Sequence, residues 1–116
     1  MHEMGLATEI VRIVTESIPG DVVDPKVERV NLKVGKLAAV VPQSLTFCFE
    51  IAAKDGPVEG AELHIEEIGV SARCNDCANL WNIDEPAFQC PKCNGGSIEM
   101  LTGRELDIES IELAGD

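Results

Sequence analysis

The chain has 116 residues, 9 Lys+Arg against 21 Asp+Glu, and a formal net charge of −12. With 45% apolar and 26% charged residues it reads as a folded chain of one domain, or one domain carrying a small appended lobe. The acidic balance makes nucleic acid a poor partner, since phosphate binding runs on clustered Lys and Arg.

The longest apolar run, Leu37 to Val41, stops at Pro42 and falls far short of the roughly 20 residues of a membrane helix. Met1-His2-Glu3-Met4 lacks the basic and apolar regions of a signal peptide, so a cytoplasmic location is expected.

Leu6 to Ile18 predicts a helix: Leu6, Ile10, Ile13 or Val14 and Ile18 recur at helical spacing, and Pro19-Gly20 supplies the stop. Glu28 to Gly35 alternates Val30, Leu32 and Val34 with Arg29, Asn31 and Lys33, the pattern of a half-buried strand. A second helix opens at Pro42, whose fixed φ suits a first turn. Its apolar stripe is Leu45, Cys48, Phe49 and Ala52, and Asp55-Gly56-Pro57 ends it. Ala61 to Ile68 is a strand, with Leu63 and Ile65 inward and Glu62, His64 and Glu66 outward.

Arg73 to Asn94 shows little periodicity. Beyond Gly95-Gly96, Ile98 to Leu101 and Arg104 to Leu113 read as strands, the second slipping out of strict alternation near Ser110. The expected fold class is therefore α+β: two helices on a small, mostly antiparallel sheet, with an inserted metal-held lobe. Residues 1–69 and 98–116 form the α+β part and 70–97 the insertion. The first two strands are joined through a helix, so a parallel or non-adjacent arrangement of that pair is open beside the antiparallel one. An insertion this short is below the roughly 40 residues at which a hydrophobic core suffices. It needs a staple.

Five cysteines are present, an odd count that argues against a disulfide framework in a reducing compartment. Four fall as Cys74-Asn75-Asp76-Cys77 and Cys90-Pro91-Lys92-Cys93. Each C-x-x-C turn puts two sulfurs on one side of a knuckle, and two facing knuckles make a tetrahedral zinc cage with Zn–S bonds of about 2.3 Å. Four protein thiolates leave no open position, so the zinc ribbon is structural rather than catalytic.

A thioredoxin-type redox pair would need one C-x-x-C at a strand-to-helix junction, whereas two are present and no βαβ frame surrounds them. An iron-tetrathiolate electron carrier uses the same geometry and stays open as an alternative. Four thiolates with one Zn²⁺ take the formal charge to about −14, with only Arg73 and Lys92 nearby, so protein contact suits the lobe better than nucleic acid.

A histidine near a chain end is ordinarily part of a frayed terminus. Its chemistry allows more. An imidazole at position 2, the α-amine and the deprotonated backbone nitrogens of His2 and Glu3 can close fused chelate rings. Such rings impose square-planar geometry, which suits Ni(II) or Cu(II) better than Zn(II). A helix starting just behind would turn its positive end toward the cation, a cost that anionic nitrogens and the Glu3 carboxylate would offset.

Met1-His2-Glu3, the helix behind it, Phe49-Glu50-Ile51, the two cysteine pairs and the closing Asp107-x-Glu109-Ser110-Ile111-Glu112 strand together resemble the HypA/HybF family of hydrogenase nickel-incorporation accessory proteins. The likeness spans essentially the whole chain.

It implies a metallochaperone that binds one Ni(II) through His2, with Met1 and Glu3 completing the amino-terminal site, and holds structural Zn(II) at Cys74, Cys77, Cys90 and Cys93. It further implies delivery to the hydrogenase large subunit with a nickel-handling accessory GTPase; consistently, the chain has no G-x-x-x-x-G-K-[ST] phosphate loop. Some relatives carry an acidic residue just before the second helix, near the nickel. Here that stretch is Val41-Pro42-Gln43, so Glu3 is the local carboxylate, and its backbone nitrogen is the better donor.

His64 reads as an exposed strand histidine, and Cys48 as a small buried hydrophobe on the second helix. No catalytic constellation appears, so an enzyme is not expected. Two questions stay open: whether urease is also served, and whether the chain forms a homodimer. The competing functions are a zinc-ribbon interaction module without nickel chemistry and the iron-tetrathiolate carrier.

Overall fold

The computed structural model describes residues 3–84 and 88–115. Its elements run α1 (Glu3–Ser17), β1 (Val27–Gly35), a 3₁₀ turn (Lys36–Ala38), α2 (Pro42–Ala52), β2 (Glu62–Ile68), β3 (Val70–Cys74), β4 (Leu80–Ile83), β5 (Ile98–Thr102) and β6 (Leu106–Leu113). Two compact units result. The first contains Met1–Lys33, Ala39–Glu66 and Asp107–Asp116; the second contains Val34–Ala38 and Glu67–Leu106.

In the first unit, α1 buries Ala7, Ile10 and Val14, one stripe of the 3.6-residue period. Ile13, the alternative to Val14, faces solvent instead. Arg12 bridges Glu9 and Glu16 on the wet face, where solvent screens the pairs. Pro42 opens α2 as expected, and the helix buries Leu45 and Phe49 against α1. Cys48 is only half-buried, because the α2 stripe is narrower than its sequence suggests. Asp55, at φ +65, turns the chain out of the helix.

The sheet of this unit runs β2-β1-β6. Arg29 pairs with Glu62, and Lys33, four residues on, feels the charge of Glu66, so β1 and β2 run in the same direction. Arg29 also meets Glu112, Asn31 meets Ser110 and Lys33 meets Glu109, so β6 runs against β1. The α2 crossover thus joins two adjacent parallel strands. Val27, Val30 and Leu32 face the core that the helices complete. In β6 the alternation of burial slips at Glu109–Ser110, where two consecutive residues face solvent.

The second unit has its own sheet, ordered β4-β3-β5 and antiparallel throughout. Sequence periodicity misses β3 and β4: one is five residues of mostly small side chains ending in a cysteine, the other is four residues long. Inward-facing Val70, Ala72 and Cys74 nevertheless make β3 the buried centre. Ile98–Thr102, placed by its sequence with the α+β part, pairs with β3 here.

Gly35 N–H bonds the Glu105 carbonyl at 2.7 Å, and Leu37 N–H that of Gly103 at 2.7 Å. This strapping needs glycine at 35, since a Cβ there would sit 2.2 Å from the Gly103 backbone. No described helix is long and apolar enough to cross a membrane.

Candidate metal centre

The β3–β4 hairpin closes between Arg73 and Leu80, and its turn carries Cys74 and Cys77. The second pair, Cys90 and Cys93, precedes β5, whose Ile98 is paired with Cys74. Strand pairing thereby brings both knuckles to one end of the sheet.

The two knuckles share one backbone pattern. Cys74 N–H bonds Asn79 O at 2.9 Å, and Ala78 N–H bonds Cys74 O at 2.9 Å. Cys90 N–H bonds Gly95 O at 2.9 Å, and Asn94 N–H bonds Cys90 O at 2.8 Å. A Cβ on Gly95 would come 2.8 Å from Asp76 Oδ2, the movable end of an exposed side chain, and 3.2 Å from Cys93 Sγ, so the second knuckle packs closely at this residue.

The four sulfurs lie within 4.8 Å of one another. Cys74 and Cys93 are 3.5 Å apart, Cys77 and Cys90 3.7 Å. A tetrahedron of 2.3 Å Zn–S bonds has edges of about 3.8 Å. Two of the six edges already match that length and all lie within 4.8 Å, so the donor set suits zinc. Cys74 and Cys90 are buried while Cys77 and Cys93 reach the surface. Asp76 N–H points at Cys74 Sγ from 3.4 Å and Asn79 Nδ2 at Cys90 Sγ from 3.8 Å, dipoles that favour thiolate over thiol.

Burial opposes ionisation of Cys90, but the backbone N–H groups of Cys93 and Lys92 outweigh it and draw this thiol down to about 6. Cys93 goes the other way: the Gly95 N–H favours its thiolate, yet neighbouring Cys74, burial and the other two cysteines push it up to about 12. Cys77 is raised too, burial and the Cys90 and Cys74 sulfurs overcoming the Asn79 N–H. Four clustered thiolates repel one another, and a divalent cation removes the conflict.

Met1 and His2 lie outside the described residues. Glu3 opens α1, and its Oε2 accepts the Val41 N–H at 3.4 Å, a contact between residues 38 apart that no local pattern signals. His64 is exposed on β2, as expected. Among the described residues the four cysteines alone form a group of three or more metal-binding side chains. Sequence reasoning missed Asp76 and Asn79 as donors to sulfur, because their role depends on the fold of the hairpin turn.

A family model described as hydrogenase/urease nickel incorporation, metallochaperone, HypA matches residues 1–113. The hydrogenase maturation factor HypA of Desulfosudis oleivorans is 56% identical over 113 residues, covering 97% of this chain and 98% of its own. That of Desulfatibacillum aliphaticivorans is 51% identical, covering 98% and 88%.

Among solved structures, a solution structure of HypA protein aligns with a TM-score of 0.74 at 23% identity, covering 100% of this chain and 98% of that one. The solution structure of the Ni metallochaperone HypA from Helicobacter pylori aligns at 0.67 and 22%, covering both chains fully. These two share the fold. By the match across residues 1–113 and the identity to its relatives, this chain belongs to the HypA family.

Proposed function

We propose that this protein is a nickel metallochaperone of hydrogenase maturation, taking up Ni(II) at its amino terminus and passing it to the [NiFe]-hydrogenase large subunit. The observation that carries the reading is a family match that begins at residue 1, so Met1-His2-Glu3 lies inside it.

The donors are the α-amine of Met1, the imidazole and backbone nitrogen of His2, and the backbone nitrogen of Glu3. Glu3 is the first residue of α1, and the first N–H groups of a helix have no partner within it. That nitrogen is free to lose its proton to the metal without breaking a helical hydrogen bond. Four nitrogens in a plane suit a d⁸ ion. Because the amides must be deprotonated, affinity falls on acidification, which gives the cargo a route out.

The amino-terminal site belongs to the first unit and the zinc site to the second. Zinc held by Cys74, Cys77, Cys90 and Cys93 supplies the folding energy that the small second unit cannot draw from its own apolar core. The net charge of −12 would steer a basic partner surface, and a nickel-handling GTPase supplies the nucleotide chemistry this chain lacks.

The test is a nickel titration of untagged, zinc-loaded protein by calorimetry and absorption. One Ni(II) per chain in a yellow, diamagnetic complex is expected, abolished in His2→Ala with zinc retained. Native protein that ignores nickel, or a His2→Ala variant that binds it equally well, overturns the proposal. Nickel transfer to apo large subunit, set against transfer to apo urease, identifies the recipient.

A further inference from the structure

We infer that the cleft between the end of α1 and the outer strand β6 is a docking site for an extended, arginine-bearing segment of a partner protein. The guanidinium sits at the Glu28 and Glu112 carboxylates. Every residue that builds the cleft lies in the first unit, and the inference stands whatever metal the protein carries.

The cleft measures about 690 Å³ and is lined by Ser17, Pro19, Glu28, Ile111, Glu112 and Leu113. That is within the roughly 300–1,000 Å³ of small-ligand clefts. Its apolar surface comes from Pro19, Ile111 and Leu113, the last two half-buried on β6. Glu28 alternates onto the face of β1 that buries Val30 and Leu32, yet it remains exposed. A carboxylate on the core side of a strand keeps its charge only where water reaches it, and the cleft admits that water.

No residue lining the cleft is basic. Glu28 forms no ion pair among the described residues. Glu112 is shared already, with Arg29 at 3.6 Å and Asn31 at 3.1 Å, so Glu28 is the stronger anchor. The α1 helix adds the negative end of its dipole, with no basic residue in its last turn to neutralise it. Together these groups call for a cation. The apolar walls favour guanidinium over ammonium, because guanidinium is planar, weakly hydrated and forks onto carboxylate.

Strand β6 makes a polypeptide the fitting source of that cation. It stands at the edge of the β2-β1-β6 sheet, so one row of its backbone N–H and C=O groups has no strand beside it. An extended segment can hydrogen-bond along that edge while its arginine enters the cleft. Asp107, Glu109 and Glu112 make β6 acidic, which attracts a basic segment and repels the carboxylate of free arginine. Ser17 ends α1 about 21 Å along the helix from Glu3, so a partner held here is a helix length from the amino terminus.

The experiment titrates the capped tripeptide alanine–arginine–alanine into untagged, zinc-loaded, isotope-labelled protein at fixed ionic strength, following the amide resonances. Lysine and citrulline analogues of the peptide, and free arginine, are titrated alongside. Saturable shifts are expected at Ser17, Glu28, Ile111 and Leu113. They should be weaker with lysine and free arginine, and absent with citrulline, which keeps the shape without the charge.

Glu28→Gln should weaken binding roughly tenfold, the scale of one charged hydrogen bond. Ser17→Lys, which tethers a cation at the cleft, should abolish it. Glu59→Gln removes the same charge elsewhere in the first unit and should change nothing. Amide dispersion and zinc content check that each variant folds. Shifts spread over the acidic surface, and weakened equally by Glu59→Gln, would reduce the effect to charge attraction and overturn the inference. Equal binding of the lysine, citrulline or free-arginine probe would overturn it too, as would a titration without saturable shifts at the cleft.

Discussion

Ala78 and Asn94 hold the same place in two knuckles of unlike sequence. Each follows the second cysteine of its pair, lies in the left-handed region at φ +64 and +62, and donates its N–H to the carbonyl of the first cysteine. Asparagine tolerates that conformation, whereas alanine costs about 1 kcal/mol there. Ala78→Gly should stabilise the zinc-bound unit by about 0.5–1 kcal/mol, although loss of the methyl group frees the unfolded chain somewhat. Slower zinc loss to a chelator, with little change in Asn94→Gly, is the expected result. Faster loss in Ala78→Gly would show that the knuckle is not strained at this residue.

Zinc loading should release close to four protons per chain at about pH 7.5 and about pH 5 alike, because without the metal the second unit is unfolded and its thiols sit near the ordinary value of about 8.5. Zinc affinity should therefore fall steeply with acidification across this range. Calorimetry of zinc binding in buffers of different ionisation enthalpy counts the protons. A count near three at about pH 7.5 that rises to about four at about pH 5 would mean that the knuckles persist without zinc and hold Cys90, drawn down to about 6, as a thiolate.

Cys74 is buried, lies at the end of the central strand of its sheet, and supplies a zinc ligand. Cys74→Ala should forfeit most of the metal's folding contribution, about 10 kcal/mol for a structural zinc site. The amide signals of β3, β4 and β5 should then collapse toward unfolded positions, as they should after strong chelation. Native dispersion retained in those strands without zinc would mean that the second unit is held by its apolar contacts instead.

Phe47 and Phe49 stand two residues apart on α2, yet the first is 64% exposed and the second fully buried. Phe49→Ala should cost about 3–5 kcal/mol by cavity formation, and Phe47→Ala close to nothing. Chemical denaturation of the two variants measures both, and equal losses would place Phe47 in a packed interface.

Much of this was legible in the residues because it depends on local spacing. The stripe of Ala7, Ile10 and Val14 follows helical period, and the inward faces of β1 and β2 follow alternation. Two C-x-x-C pairs announce a metal cage, since each turn's geometry is set within four residues. The resemblance of Met1-His2-Glu3 and the cysteine pairs to a nickel-handling family likewise needed only order and spacing. The β3 and β4 strands were not legible: their few small or exposed side chains carry no periodic signal, and β3 is defined by its partners on either side.

The amino-acid order by itself determined which segments coil, which extend, and which four sulfurs can surround one ion. Tertiary structure decided that Ile98–Thr102 pairs with β3, that β1 and β2 lie side by side, and that Glu3 reaches the backbone of Val41. These contacts join residues tens of positions apart. Their energy depends on where two packed surfaces meet, a distance that no stretch of sequence encodes alone.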